Sequence, residues 1–283
     1  MNNNTVDFSK LRDFIKNSSD NNKIEKKKRK KTIIILTNIF TISFLIFGGF
    51  GIKSILDYQE DKKESKLLLE ELNKRKKDLE EKITASNDLK KEENIIDPKI
   101  VELFKSLKEE NPDTVGWLKV NNTDIDTPIV KAIDNEFYLS HDFNKKYNEV
   151  GWAFADYRNG FPNLSKNTII YGHTYRNSSL AFSTLKYILE DDWLSNSDNY
   201  IITFTTENKE LKFKIFSIYT TKKTNNYLNT YMDRETFEAF IKDAKEKSVK
   251  DFEEEVDFND NILTLSTCYN TSSYRLVVHA KLI

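Results

Sequence analysis

The chain is poor in three residue types, and each shortage narrows what the protein can be. Its 283 residues include one cysteine, four prolines and seven glycines. A single cysteine excludes an intrachain disulfide framework and a cysteine-based zinc knuckle. So few glycines and prolines exclude a collagen-like or low-complexity chain. Neither sign of charge is in excess, because 44 Lys and Arg residues face 45 Asp and Glu residues, and this balance disfavours a general nucleic-acid binder.

A long uncharged segment stands near the beginning of the chain. Residues 32–52 are 21 residues without a charge, and about 20 apolar residues cross a hydrocarbon core of roughly 30 Å as a helix. A secretory signal peptide is the alternative. Its apolar region of about 7–15 residues is shorter and ends in a small-residue cleavage site, which residues 51–54 do not supply. The segment therefore predicts an uncleaved membrane anchor, whose hydroxyl groups bond back to the helix.

Charge predicts the orientation of this anchor. Residues 1–31 hold ten basic and four acidic residues, and residues 26–31 are all basic. Because basic flanks remain cytoplasmic, we expect a single-pass protein with residues 1–31 as a cytoplasmic tail and the chain after residue 52 outside the cell. Contact with anionic lipid is compatible with the basic run, and nucleic-acid binding is not needed to explain it.

A helical stalk or linker is predicted at residues 53–96, before an extracellular domain at 97–283. Apolar residues recur there at helical spacing, at Leu68, Leu72, Leu79 and Ile83. A heptad that starts at Leu68 meets Arg75 and Lys82 at the equivalent positions. This interruption favours a solvated helix over a coiled coil.

From Val115 onward, short β-rich runs alternate with turn residues. Eight such runs with few helices between them predict a mostly β domain with helices (α+β), built as a closed barrel or a sandwich. The strands are expected at 116–120, 125–130, 150–156, 168–171, 200–205, 211–221, 261–267 and 274–282. Helices are expected at 99–109 and at 234–247, the second with four apolar residues on one face.

The single cysteine, Cys268, ends an apolar run. Strand alternation places it on one face with Thr264 and Ser266. A lone cysteine is usually an inert buried residue, but outside the membrane an unpaired reactive thiol would be a liability unless it were used. A cysteine nucleophile needs a basic partner, normally histidine, and a group that stabilises an oxyanion.

His173 is the preferred partner among three histidines. It follows the run 168–171 and Gly172, and loops at strand ends beside glycine can approach a site closely. His141 reads as a helix-end residue with no obvious partner.

A hairpin with its turn at residues 269–273 would pair Cys268 with Tyr274. His279 would then lie opposite Leu263, about 16 Å from the cysteine and too far for a hydrogen bond, so we predict a structural role for His279.

The same hairpin places Arg275 opposite Thr267, beside the cysteine. A guanidinium there could bond a developing oxyanion and favour the thiolate. Spacing alone equally allows an ordinary salt bridge.

Two motifs carry a family resemblance. Thr264-Leu265-Ser266-Thr267-Cys268, with Arg275 seven residues on, closely resembles the TLxTC…R signature of sortases. Residues 167–173 look like the histidine strand of that family. Residues 115–120, 135–143 and 155–159, and the insert with helix 234–247, resemble class B sortases in particular. The resemblance covers about residues 99–283.

This resemblance implies a sortase-type eight-stranded β-barrel, preceded by the transmembrane helix and stalk. It implies a membrane-anchored cysteine transpeptidase of the Gram-positive cell envelope, without a cofactor. Such enzymes cut the C-terminal sorting signal of a surface protein after Thr, hold the protein as a thioester, and pass it to an amine of peptidoglycan or its lipid-linked precursor. By motif position Cys268 is the nucleophile, His173 the acid/base partner, and Arg275 the ligand of the oxyanion or substrate carbonyl.

The resemblance also implies a substrate groove. Its residues would be Asn135, Leu139, Tyr227, Leu228, Ser266 and Thr267. The first two are four apart as in class B enzymes, and the loop 220–228 resembles the recognition loop, although Lys222 and Lys223 depart from its hydroxyl-rich pattern. The alternative for all six is ordinary packing.

Other functions remain open from the sequence. One is a membrane-tethered barrel that binds a ligand or scaffolds the wall, with an inert thiol; another is a thiol peptidase that only hydrolyses. A papain-like order is disfavoured because His173 precedes Cys268, which lies on a strand. We expect no metal, because the HExxH motif and clustered His and Cys are absent, and we interpret the acidic residues 252–260 as a solvated loop.

Overall fold

The computed structural model describes residues 8–84, 98–176 and 178–283. It divides into two units, Met1–Asp57 and Tyr58–Ile283. Part of the predicted linker, residues 85–96, lies outside the described residues, and the division into tail, anchor, linker and extracellular domain stays a prediction.

Helix α1 spans Phe8–Thr84 and carries the predicted anchor in the first unit. Within the described residues, α1 is the one helix that is long and apolar enough to cross a membrane. Its apolar side chains are exposed, as at Phe40 and Leu45, which are each 72% accessible. The hydroxyl of Thr37 donates to the carbonyl of Ile33 at 2.8 Å, which confirms the expected bonding of hydroxyls back to the helix.

From Tyr58 onward α1 belongs to the second unit. In this part of α1 our expectation of a fully solvated helix is wrong. Leu72 is fully buried, and it packs with apolar residues of helix α2, Pro98–Glu110. Arg75 forms a salt bridge with Glu110 at 2.7 Å. The leucine stripe therefore does not need a second coiled-coil strand, because the barrel domain itself covers it.

Eight strands of the described chain close into a barrel, which confirms the predicted fold. They are β1 Thr114–Val120, β2 Asp126–Val130, β3 Phe154–Ala155, β4 Asn167–Tyr171, β5 Ile201–Thr205, β6 Glu210–Lys222, β7 Ile262–Tyr269 and β8 Thr271–Leu282. Their order around the barrel is β1-β2-β3-β4-β7-β8-β6-β5. The pairs β2–β3 and β4–β7 are parallel, and the other pairs are antiparallel.

Strand β3 is much shorter than the expected strand at 150–156. Gly151 has a φ of +64° and interrupts the extended backbone. A Cβ at this position would stand 2.5 Å from the carbonyl oxygen of Tyr138, so only glycine fits this turn.

The barrel interior is apolar and includes Leu265 and Val278 from β7 and β8. Helix α4, Arg234–Lys247, matches the predicted helix, and the carboxylate of Asp233 caps its start by accepting the backbone N–H of Thr236. Its four apolar residues cover the outer face of the barrel with residues of β6, β7 and β8. The other helices of the described residues are short: α3 Asp191–Leu194 and 3₁₀ turns at Phe137–Leu139, Leu185–Leu189 and Ser197–Tyr200.

Candidate active site

Three adjacent strands bring a histidine, a cysteine and an arginine to one level of the barrel rim. In the parallel pair β4–β7, Tyr171 aligns with Ser266. Beyond this pair, the Thr267 hydroxyl contacts Gly172 and Thr174, which holds the segment of His173 next to the end of β7 that carries Cys268. On the other side, Cys268 pairs directly with Arg275 of β8. Neighbouring strands lie about 4.8 Å apart, so the three residues are close enough to line one cleft.

The hairpin register differs by one residue from our expectation. Cys268 pairs with Arg275, and Tyr274 is not its partner. Asn270 adopts a φ of +56° and makes a tight turn, while a register shift between Cys268 and Tyr269 absorbs the extra residues of β8. Directly paired residues point to the same face of a sheet. The true register thus places Arg275 on the face of the cysteine, whereas the expected one would have turned it away.

His173 is held by the backbone of the neighbouring 3₁₀ turn. Its Nε2 lies 3.0 Å from the carbonyl oxygen of Leu139. A carbonyl oxygen only accepts, so Nε2 donates and Nδ1 is the unprotonated nitrogen of the neutral ring. Burial lowers the pKa of His173 and outweighs the opposing effect of the Leu139 hydrogen bond. The imidazole is therefore neutral at pH 7 and can accept a proton.

A hydroxyl ties the segment that carries His173 to strand β7. Thr267 donates from Oγ1 to the carbonyl of Gly172 at 2.6 Å, and its Oγ1 also lies 2.6 Å from that of Thr174. Thr267 is only 4% exposed. Its hydroxyl thus contacts the backbone of Gly172 before His173 and the side chain of Thr174 after it.

Arg275 is oriented by the carbonyls of its own turn. Its NH1 group donates to the oxygen of Ser272 at 2.8 Å and to that of Tyr274 at 3.0 Å. No carboxylate of the described residues forms a salt bridge with Arg275 within 4.0 Å. Because a guanidinium has five N–H donors, donors on Nε and NH2 are left for a substrate.

All nine site residues predicted from the sequence line one cleft of about 510 Å³. They are His173, Cys268, Arg275, Asn135, Leu139, Tyr227, Leu228, Ser266 and Thr267. The Cys268 thiol is free and partly exposed in this cleft. Such exposure is typical of a reactive cysteine rather than of an inert core residue.

The six groove residues differ in how much of each is open to a ligand. Leu139 is 42% exposed, but Tyr227 is only 4% exposed and its hydroxyl lies 3.0 Å from that of Ser266. Asn135 donates from Nδ2 to Asp156 at 3.0 Å, and its Oδ1 accepts the N–H of Tyr157 at 2.9 Å. Half of the hydrogen-bonding capacity of the Asn135 amide is thus already in use.

Several residues of the cleft were not among the expected ones. Glu136, Phe154, Tyr171, Lys223, Thr224 and Asn225 also line it. Their sequence signal is that five of them lie inside the quoted motif stretches and Phe154 lies next to one. His141, which we expect to lack a partner, has one: its Nδ1 lies 2.7 Å from the carbonyl of Phe137, and its ring stacks on the Phe137 ring at 4.0 Å.

His279 is fully buried, as a structural residue should be. Its Nδ1 lies 2.8 Å from the hydroxyl of Thr264 and its Nε2 lies 3.0 Å from that of Tyr219. Within the described residues, no group of three or more His, Cys, Asp or Glu side chains is arranged to hold a metal ion.

Comparison with known proteins defines the class of the protein. The family model described as "Sortase domain" matches residues 118–283. Sortase B of Staphylococcus aureus is 34% identical over 184 residues, which are 64% of this chain and 74% of that protein. Sortase B of Listeria monocytogenes is 35% identical over the same shares. The protein is thus a cysteine transpeptidase.

Solved structures agree with this class. The S. aureus sortase B–substrate complex superposes with a TM-score of 0.67 at 30% identity, over 80% of this chain and 98% of that one. A sortase B complexed with triglycine superposes with a TM-score of 0.66 at 28% identity, over 78% and 98% of the two chains. The chain belongs to the sortase family, and its relatives here are class B enzymes.

Proposed function

We propose that this protein is a membrane-anchored sortase that joins surface proteins to a cell-wall amine through a thioester on Cys268. The observation that carries the proposal is that His173 just after β4, Cys268 on β7 and Arg275 on β8 come from three adjacent strands and line one cleft. The sorting signal would lie in the cleft, between the wall at Asn135 and Leu139 and the loop that carries Tyr227 and Leu228. Ser266 and Thr267 would border the scissile bond.

The first half of the reaction forms the thioester. The thiol proton of Cys268 passes to Nδ1 of His173, and the sulfur attacks the carbonyl carbon of the substrate Thr. The carbonyl oxygen becomes an oxyanion that accepts hydrogen bonds from Arg275. As the C–N bond breaks, His173 returns the proton to the leaving amine.

The second half transfers the acyl group. An acceptor amine attacks the thioester carbon and gives one proton to His173, and Arg275 again stabilises the oxyanion. The C–S bond breaks, and the proton on His173 restores the Cys268 thiol. That a related sortase B has been solved with triglycine supports an amine of a peptidoglycan peptide, or of its lipid-linked precursor, as the acceptor.

The inert-thiol alternative and the hydrolase alternative are separated by product masses. Leu72 is buried against the barrel domain, so a soluble piece should begin at Tyr58 rather than near residue 90. We expect a randomised peptide library with a fixed Thr to be cleaved after Thr, and added amines to appear in the product mass. Cleavage that is unchanged in Cys268→Ala would overturn the proposal, and products that never contain the amine would reduce it to hydrolysis.

The proposed membrane topology rests on the exposed apolar side chains of residues 32–52 and on the basic residues 26–31. Protease added to wall-stripped cells should remove the barrel domain and leave a membrane-embedded stub. Full protection of Cys268 from membrane-impermeant thiol reagents would contradict an extracellular active site.

A further inference from the structure

The reaction described above does not use one buried carboxylate beside the cleft, that of Asp156. Asp156 follows β3, and its side chain is fully buried. It accepts hydrogen bonds from Nε and NH2 of Arg158, each at 2.8 Å. It also accepts from the Tyr171 hydroxyl at 2.8 Å and from Nδ2 of Asn135 at 3.0 Å. The acceptor capacity of an ionised carboxylate is thereby largely satisfied.

The partners of Asp156 belong to different sides of the cleft. Asn135 lies in one wall, in the segment whose Leu139 carbonyl holds His173. Tyr171 lies on β4, two residues before His173. Arg158 reaches the opposite wall, because its NH2 group also donates to the carbonyl oxygen of Leu228 at 2.9 Å.

These contacts require a charged Asp156. Burial by itself would raise the pKa of this carboxyl, but the hydrogen bonds from Arg158, Tyr171 and Asn135 outweigh burial and lower it. The carboxylate is therefore ionised at neutral pH. An amide at position 156 would keep the shape but lose the charge and half of the acceptor sites that face Arg158.

We propose that Asp156 and Arg158 are positioning residues that set the separation of the two walls and thereby the affinity for the sorting signal. Neither residue contacts the reacting atoms. Cys268 and Arg275 are paired across β7 and β8, and the Thr267–Gly172 bond holds the segment of His173; neither contact involves Asp156. This inference rests on the proposed function, because it takes the cleft to hold the sorting signal.

The test compares Asp156→Asn with Asp126→Asn. Asp126 is a partly buried carboxylate on β2 that pairs with Lys76 at 2.8 Å and accepts from the Trp117 indole, outside the cleft. The probe is the best-cleaved fluorogenic peptide from the library. We expect KM in Asp156→Asn to rise about 10-fold or more, as for loss of one charge-assisted hydrogen bond, with kcat within about 3-fold.

Two further readouts separate positioning from general destabilisation. The alkylation rate of Cys268 by iodoacetamide, which is too small to need both walls, should be unchanged in Asp156→Asn, and KM should be unchanged in Asp126→Asn. Arg158 is partly exposed and offers a second route if Asp156→Asn does not fold. Arg158→Gln should raise KM, and Arg158→Lys should recover part of the loss.

An unchanged KM in folded Asp156→Asn and Arg158→Gln would overturn the inference, as would an equal rise in Asp126→Asn. These outcomes leave the proposed function intact if peptide cleavage still depends on Cys268. Cleavage that survives Cys268→Ala would instead defeat the proposed function itself.

Discussion

The outer face of β7 and β8 carries two polar clusters with opposite surroundings. Thr264 pairs with His279 at one level, and Cys268 pairs with Arg275 four residues further along β7, about 13 Å away. Helix α4 covers the first cluster, where Phe240 lies 5.0 Å from the imidazole of His279. The second cluster opens into the cleft.

The difference extends to the surroundings of the histidine at each cluster, His279 and His173. Both ring nitrogens of His279 have hydroxyl partners, and its burial lowers its pKa to about 3. His173 has a protein partner for Nε2 and stands at the open rim beside a thiol. Satisfied nitrogens and full burial exclude proton exchange with a substrate, whereas a free nitrogen in a cleft permits it.

The largest effect should come from the thiol at the open cluster. Cys268→Ala should abolish the covalent intermediate and all turnover, and Cys268→Ser should nearly do so, because a hydroxyl is a poor nucleophile without a stronger base. Intact-protein mass spectrometry of a substrate-trapped sample measures the acyl adduct. An adduct that persists in Cys268→Ala would remove the open cluster from the chemistry.

The next largest effect should distinguish His173 from His141 and His279. His173→Ala should lower kcat/KM by at least about 10²-fold, since acid/base catalysis contributes that much or more. His141→Ala and His279→Ala should retain most activity per folded molecule, as measured by peptide turnover with folding checked by circular dichroism. A comparable loss in folded His279→Ala would mean that the two clusters are not functionally separate.

Arg275→Lys tests whether Arg275 acts by directed hydrogen bonds or by its charge alone. Lysine keeps the charge but loses the planar fork of donors. If Arg275 acts by directed hydrogen bonds, the variant should lose much of the roughly 2.7–4 kcal/mol typical of one oxyanion donor, measured as kcat on the same peptide. Near-native turnover with an unchanged alkylation rate of Cys268 would assign Arg275 a purely electrostatic role.

The smallest effect concerns how His279, in the covered cluster, makes the stability of the protein depend on pH. The folded pKa of His279 is about 3 and the unfolded value is about 6.5, so between these limits the unfolded chain binds the extra proton. The contribution of His279 to the free energy of unfolding is then fully present above about pH 6.5. It falls as the pH is lowered, by about 2 kcal/mol at pH 5.

His279→Gln should remove this contribution to the pH dependence, because glutamine does not titrate. Urea unfolding at pH 7.5 and pH 5 measures the slope in both proteins. An identical loss of stability at pH 5 in the variant and the unchanged protein would show that His279 is not the group responsible.

Much of the fold followed from local patterns. The uncharged segment at 32–52, the helix at 234–247 and the runs that became β4 and β7 are each recognisable from a few neighbouring residues, because periodicity and charge act over short distances. The three catalytic candidates and the six groove residues came from the resemblance to sortase motifs, and all nine line the cleft. Their individual roles stay predictions.

Other features depended on contacts between distant parts of the chain. The parallel pairing of Asn167–Tyr171 with Ile262–Ser266 brings His173 to Cys268 across about 95 residues, and no local pattern encodes which strands become neighbours. The one-residue shift of the β7–β8 hairpin depended on the turn at Asn270 and the irregularity beside it.

The burial of Leu72 and the hydrogen bonds that Asp156 accepts from Tyr171 and Asn135 were likewise decided only by tertiary structure. A leucine stripe records that a helix has an apolar face but not which surface covers it. An aspartate next to a short strand does not reveal how many donors will converge on it. Sequence by itself determined the membrane-length segment, the strand-rich domain and the reactive residue types. Long-range pairing decided their geometry, because the free energy of these contacts arises only when separate segments meet.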